Sequence, residues 1–355
     1  MKTLKSTLVI IALLANAFTY AQDEEVTTPA TEETEAESTF AISGSIDTYF
    51  RSNFSEEQLT APGTSFAQIP GFALGMANVV IGYEGEKSGF VADLVFGPRG
   101  TEAVFGSTGS SNIVNQLYAY YNLNDKVTLT LGNFNTFLGY EVISPVANFN
   151  YSTSYMFSYG PFSHTGVKAD FALSDDFSLM LGVFNQTDYT EGNFYIDDNS
   201  NAVAFEEYMY GVQLGYKGQY LNLLAGGDYT QFDFTGGFDL SDDFFLGINA
   251  TVADAADDAG FSGVALYPQY SFSDSFTFGV RGEIFSETEG FTGAFGSVSE
   301  ADNTSITLTG SYTSGNFILK PEIRIDTASE EIFTISPSET ADNLASFVIA
   351  AIYSF

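Results

Sequence analysis

From Thr39 onward apolar and polar residues alternate with a period of two, the spacing of a β-strand whose two faces meet different surroundings. Phe317, Leu319, Pro321, Ile323 and Ile325 fall on one face, and Lys320, Glu322, Arg324 and Asp326 on the other. The pattern repeats. Phe276, Phe278, Val280 and Ile284 oppose Thr277, Arg281 and Glu283, while Val167, Ala169, Phe171 and Leu173 oppose Lys168 and Asp170. Tyr208, Tyr210, Val212, Leu214 and Tyr216 oppose Met209, Gln213 and two glycines, and Phe244 to Val252 alternates in the same way. Runs of about 9–11 residues suit a tilted strand that crosses a bilayer. Charges in a row along one face suit a water-filled lumen, with the apolar side toward lipid. Pro321 lacks a ladder N–H, which predicts a local bulge on its outward face.

The connections predict an asymmetric barrel. Short polar turns fall at Asn124–Lys126, Ser174–Asp176, Ser241–Asp243 and Ser273–Ser275, with others near Glu84–Ser88, Lys217–Gln219 and Ser314–Asn316. Asp, Asn and Ser favour such turns because their side chains bond nearby backbone. Between them lie longer segments at 53–72, 98–112, 137–160, 187–204, 254–259, 286–301 and 327–343, and an eighth outer connection is placed near Asp228–Gln231. Seven short turns and eight outer connections give an all-β, antiparallel transmembrane barrel of about 16 strands over residues 39–355.

The N-terminus changes the compartment. Lys2 and Lys5 precede the apolar run Leu8–Ala15, and Thr19 and Ala21 occupy small-residue positions of a cleavage site. This predicts a signal peptide over residues 1–21, removed after Ala21. Residues 22–38, QDEEVTTPATEETEAES, carry seven acids and little to bury, so a short disordered acidic periplasmic tail is expected there, too short for a plug domain. Removal of the signal leaves 9 basic against 45 acidic residues, a net of −36. Such a charge argues against nucleic acid as a partner. Cysteine is absent, which excludes disulfides and thiolate chemistry, and the sequence calls for no cofactor.

Residues Phe347 to Phe355 alternate and stop on an aromatic residue, a terminal signature for recognition by the barrel-assembly machinery through Phe355. The stretches GNFNTFLGYE (132–141), NFNYSTSYMFSYGPFSHTGV (148–167) and SDDFSLMLGVFN (174–185) resemble the β-barrel porins of the OmpL-like group of Bacteroidetes-type bacteria. The resemblance implies an outer-membrane pore in contact with lipid. It brings no catalytic residues and no agreed substrate, and oligomerisation is left open.

Candidate pore-lining residues follow from strand phase: Asp93, Arg99, Glu141, His164, Lys168, Asp170, Arg281, Glu283, Lys320, Glu322 and Arg324. Arg51, Asp47, Asp228 and Asp326 are expected to share that space. His164 is the only histidine, and neighbouring Ser163 points to the opposite face of its strand, which disfavours a lipase pair and an enzymatic reading. Asp254, Asp257 and Asp258, or Asp197 and Asp198, are acidic enough for Ca²⁺ but lack an EF-hand spacing, so solvated loops are the default there. Segment 137–160 holds seven Phe and Tyr and one charge, Glu141. Such a loop needs a surface to cover. It is predicted to fold into the barrel and narrow the pore, with Glu141 across from Lys168 and Arg281. The function expected is passive diffusion of small hydrophilic solutes, the alternative being a substrate-specific binding channel or surface receptor.

Overall fold

The computed structural model describes residues 38–54, 66–196, 201–256, 259–288, 300–336 and 338–355. The signal-peptide reading, the tail up to residue 37 and the four acids Asp197, Asp198, Asp257 and Asp258 lie outside these residues.

Sixteen strands form the wall: β1 (Thr39–Asn53), β2 (Gly71–Glu84), β3 (Ser88–Phe96), β4 (Val114–Asn124), β5 (Val127–Asn135), β6 (Ser163–Ala172), β7 (Phe177–Phe184), β10 (Met209–Tyr216), β11 (Gln219–Gly226), β12 (Tyr229–Asp239), β13 (Phe244–Asp254), β14 (Gly260–Ser273), β15 (Phe276–Glu287), β16 (Asp302–Ser314), β17 (Phe317–Ala328) and β20 (Asn343–Ser354). Two small hairpins, β8–β9 (Phe194–Ile196 with Ala202–Ala204) and β18–β19 (Phe333–Ser336 with Glu339–Ala341), ride on outer loops. Each wall strand pairs antiparallel with its neighbours, and β1 closes on β20 from Ser45↔Ser354 to Asn53↔Ser346. Phe355 extends the seam by exchanging two backbone bonds with Gly44, 3.0 and 3.1 Å. Closure leaves no open edge, so the wall pairs its backbone from strand to strand all the way round, the condition for lying in hydrocarbon.

Alternation sets the two faces. Ile284, Ile306 and Ile323 are exposed on the outer surface, while their strand neighbours are buried inside. This is the inverse of a soluble protein and matches a wall solvated by lipid. No helix among the described residues is long and apolar enough to cross a membrane.

Two details differ from the sequence reading. The register at Pro321 is unbroken, since Thr309↔Glu322 and Tyr312↔Leu319 belong to one register, so there is no bulge. Gly310 stands opposite, and a β-carbon there would lie 3.6 Å from the Pro321 ring, so the ring fits without displacing the strand. The eighth outer connection is tighter than expected and lies before Tyr229. Gly226 pairs with Tyr229, leaving Gly227 and Asp228 as a two-residue turn, and Gly227 supplies the positive φ of 57° that it requires. Asp228 is therefore exposed at the rim rather than inside the barrel.

Candidate functional site

The connection between β5 and β6 is the third on its side of the barrel, and within 137–160 only Gly139 is exposed. Its backbone is held by side chains from the far wall. Glu283 on β15 accepts from Tyr155 N–H and Met156 N–H at 3.0 and 2.9 Å. Glu322 on β17 accepts from Tyr151 N–H at 2.9 Å and from the Ser152 hydroxyl. Arg281 donates to Ser152 O at 2.6 Å, and Arg324 donates to Thr153 O at 2.6 Å. Lys320 donates to Pro145 O at 2.9 Å and to Asn148 O. Arg99, from the short helix Pro98–Ala103 in the second outer loop, donates to Ile143 O and Tyr151 O and stacks on the Phe66 ring. Asp47 on β1 takes the Tyr151 hydroxyl, and Asp233 on β12 takes Gly139 N–H at 3.0 Å. An irregular loop inside a barrel must satisfy its own N–H and C=O groups, and here wall charges do so, each bond being charge-assisted.

The loop's side chains have sockets. Inward positions on β10, β13, β14 and β15 are glycines, and a β-carbon at Gly211, Gly247, Gly263 or Gly279 would occupy the space of Phe137, Tyr140, Met156 or Phe149 respectively. Tyr140 stacks on Tyr267 at 4.3 Å between ring centroids. Tyr155 and Met156 join a buried cluster with Phe261, Ala265, Phe285 and Phe333. The aromatic content of the segment is therefore matched to an interior surface. The inward glycines, legible in the strand patterns, were the signal for these contacts that the sequence reading passed over.

Among the predicted residues, Arg281, Glu283, Lys320, Glu322 and Arg324 are all no more than 3% exposed. Strand phase turns them inward, but they meet the loop rather than open water. Glu141 and Arg281 do not face one another across a gap, as anticipated, because the loop brings them into a salt bridge. His164 is also enclosed, its Nε2 3.0 Å from Thr136 Oγ1 and its ring between Phe137 and Phe184. Asp93 accepts from Asn78 and Asn115 Nδ2 at 3.2 and 2.7 Å in a network along β2–β4. Lys168 and Asp170 pair at 2.9 Å with 13% and 38% of their side chains exposed. Asp233, which the sequence reading missed, holds a matching position on the other side of the barrel, between Asn222 at 2.8 Å and Asn249 at 2.7 Å. No group of three or more His, Cys, Asp or Glu with metal-site geometry occurs among the described residues.

Nine basic residues follow Ala21. Lys87, Lys126 and Lys217 lie at the short turns, and Arg51, Arg99, Lys168, Arg281, Lys320 and Arg324 turn into the barrel. The outer loops carry no further cation, so their surface charge is acidic.

No curated protein matches the chain. Its backbone is similar to solved outer-membrane barrels. OmpT of Vibrio cholerae superposes with a TM-score of 0.56 at 14% identity, over 91% of this chain and 99% of that one. An anion-selective porin from Comamonas acidovorans gives 0.56 at 9% identity, over 90% and 100%. A trimer form of Vibrio cholerae OmpT gives 0.54 at 12% identity, over 90% and 99%. At such identities the likeness speaks for the fold alone. Residues 39–355, the whole barrel, match the family described as Putative beta-barrel porin-2, OmpL-like. The chain belongs to that family and is an outer-membrane β-barrel channel.

Proposed function

We propose that the barrel is a passive diffusion channel for small hydrophilic solutes and that its third outer loop sets the bore. The observation that carries this reading is the course of residues 137–160 inside a 16-strand wall, tied to β1, β12, β15 and β17 by charge-assisted bonds. Sixteen strands enclose more interior than side chains alone fill, so a loop laid across it narrows an aqueous passage. A substrate-specific binding channel is the weaker reading. Its aromatic contacts would come from this loop, whose rings instead lie over wall glycines and in buried clusters. The burial of His164 against Phe137 and Phe184 supports a non-enzymatic role. The quoted central motifs support kinship with the Bacteroidetes-type branch of the family. The backbone bonds of Phe355 to Gly44 support a part for that residue in assembly, as the last step of closure. Likeness to a barrel with a trimer form supports self-association of the outer wall.

Planar-bilayer recording tests the reading. The barrel should conduct with an unsaturated, linear dependence on solute concentration, and shortening 146–158 should raise its conductance. Cation preference at low salt should come from the acidic outer loops and fade as the Debye length falls from about 10 Å at 0.1 M to about 3 Å at 1 M. Saturation at low solute concentration would favour the binding channel instead, and unchanged conductance in the shortened variant would remove the loop from the bore.

A further inference from the structure

A passage through a barrel leaves the inward side chains of the strands beside it open from rim to rim. Here each of the sixteen wall strands carries a buried residue on its inner face, Asp93 on β3, Asp233 on β12 and Glu322 on β17 among them. Residues 150–156 of the third loop are buried without exception. Loop and wall together close the interior.

The loop has two parts, attached in different ways. Residues 142–148 fold on themselves: the Asn148 amide accepts from Val142 N–H at 2.8 Å and donates to Val142 O. Ile143 packs among Phe66, Met76, Val95 and Phe162, while Arg99 and Lys320 hold the carbonyls of Ile143, Pro145 and Asn148. Residues 149–159, FNYSTSYMFSY, carry no charge of their own. The wall supplies it. Glu322 and Glu283 take the N–H groups of Tyr151, Ser152, Tyr155 and Met156, and Arg281 and Arg324 take the carbonyls of Ser152 and Thr153. Asp47 and Arg99 add bonds to Tyr151. The segment ends at Gly160, whose φ of +66° suits glycine.

We propose that this arrangement is the shut state of the channel, and that it opens when residues 149–159 leave the β14–β17 wall as a strap hinged between Asn148 and Gly160. The proposal rests on the channel reading and adds a gate to it. Neither arginine depends on the strap for a counter-charge, since Arg281 lies 2.6 Å from Glu141 and Arg324 2.9 Å from Asp326, both outside the strap. Release therefore leaves no lone cation in the wall, and water solvates Glu283 and Glu322 in place of the backbone. Buried charges of this kind come close to breaking even against hydration, so they position the strap without locking it. The rings favour the seated form: Phe149 over Gly279, and Tyr159 stacked on Phe261 and Phe285 at 5.0 Å. The seated form is the major state and the released form the minor, conducting one.

The chain has no cysteine, and a β-carbon at Gly263 would lie 2.6 Å from Met156 Cγ. Cysteines at these two positions are placed to bridge the strap to β14. The bridge joins groups already in contact, so it cannot block a bore that is open in this arrangement, but it does keep the strap seated. Met156→Cys/Gly263→Cys barrels in planar bilayers should conduct when reduced. Oxidation, confirmed by loss of free thiol, should lower the current about ten-fold or more, reversibly, and should leave the single variants unaffected. Equal currents in the two redox states would show that solutes pass the seated strap and would overturn the gate, leaving the channel reading intact. Reduced barrels as silent as oxidised ones, beside a conducting barrel shortened at 146–158, would make the segment a permanent plug and overturn the gate as well. A shortened barrel that is silent too would overturn the channel reading. Where the bridge does not form, Thr307→Cys decides: Thr307 is fully buried beside Arg281 under the strap. Water-soluble methanethiosulfonates should modify it, while Lys320→Cys, under residues 142–148, stays unmodified. Protection at both positions would overturn the release of the strap.

Discussion

Glu141 Oε1 and Arg281 Nη1 are 2.6 Å apart inside the barrel, with 4% and 0% of their side chains exposed. Arg281 also bonds the carbonyls of Ser152 and Thr153 and the hydroxyl of Thr307, so one guanidinium joins both arms of the third loop to β15 and β16. The pair is therefore a structural tie rather than two poles of a field across water.

Arg281→Ala should release the loop. Breaking one partner of a buried pair costs about 3–5 kcal/mol because the other charge is left without compensation. The measurement is the urea midpoint of the folded barrel in detergent together with its single-channel conductance. The midpoint should fall and the current should grow noisier. Replacing Glu141 and Arg281 together by leucine should cost less than the sum of the single changes, and additive costs would show that the two do not act as a pair.

The glycine sockets give an orthogonal test. Gly247→Val places branched carbons where the Tyr140 ring lies, and Tyr140 is pinned by its stack on Tyr267. Overpacking of this kind costs about 1–3 kcal/mol. Combining Gly247→Val with Tyr140→Ala should recover most of that loss in a chemical denaturation series, and failure to recover would mean the socket is not the cause.

Leu319 and Lys320 separate lipid from interior on β17. Ile323→Arg, at the outward residue in the middle of β17, should cost roughly 2–4 kcal/mol, and Leu319→Arg, close to the short turn, less. Lys320→Ala should also be costly, since it removes the donor to Pro145 O and Asn148 O and leaves buried carbonyls unpaired. A cysteine at 319 should react with lipid-soluble maleimides and one at 320 with neither lipid-soluble nor aqueous reagents. Aqueous labelling at 319 would mean the register is off by one and the strand is inverted throughout.

Asp188, in the fourth outer loop, adds a pH dependence. Burial pushes its carboxyl up to about 6, against backbone N–H bonds from Phe162 and Ser163 that pull the other way. A group whose native value is raised from about 3.9 favours folding while protonated, and the contribution is lost as pH rises through 6. Protection of the amides at 162–163 and in the packed segment near Gly106, measured against their intrinsic exchange rates, should therefore fall between about pH 4 and about pH 6 in the wild type, and Asp188→Asn should flatten that fall. A profile with the same slope in the variant would assign the change to another group.

The wall was legible in the sequence because it is a repeated local pattern. Alternation over eight or more residues, Asp- and Ser-rich short turns and the place of 137–160 as the third outer loop each depend on residues close together in the chain. What lines the interior was less legible. The inward phase of Lys320, Glu322 and Arg324 could be read from β17 alone, but their partners lie in a loop 170 to 175 residues earlier, so strand phase gave their direction and not what they meet. Asp233 escaped notice for the same reason, since its importance comes from Gly139, 94 residues away. The hairpins β8–β9 and β18–β19 have three or four residues per strand, too few for a period to show.

The separation between the third loop and its anchors has a consequence for the order of assembly. Residues 137–160 leave the ribosome, cross the inner membrane and reach the site of folding before Arg281, Glu283, Glu322 and Arg324 do. Until β15 and β17 are in the sheet, the N–H groups of Tyr151, Ser152, Tyr155 and Met156 and the carbonyls of Pro145, Asn148, Ser152 and Thr153 lack the side chains that hold them, and contacts this distant in sequence are the slowest to form. The lumen is therefore packed from the finished wall inward, and the narrow passage is the last part of the molecule to take shape, after the hydrocarbon-facing surface is already complete.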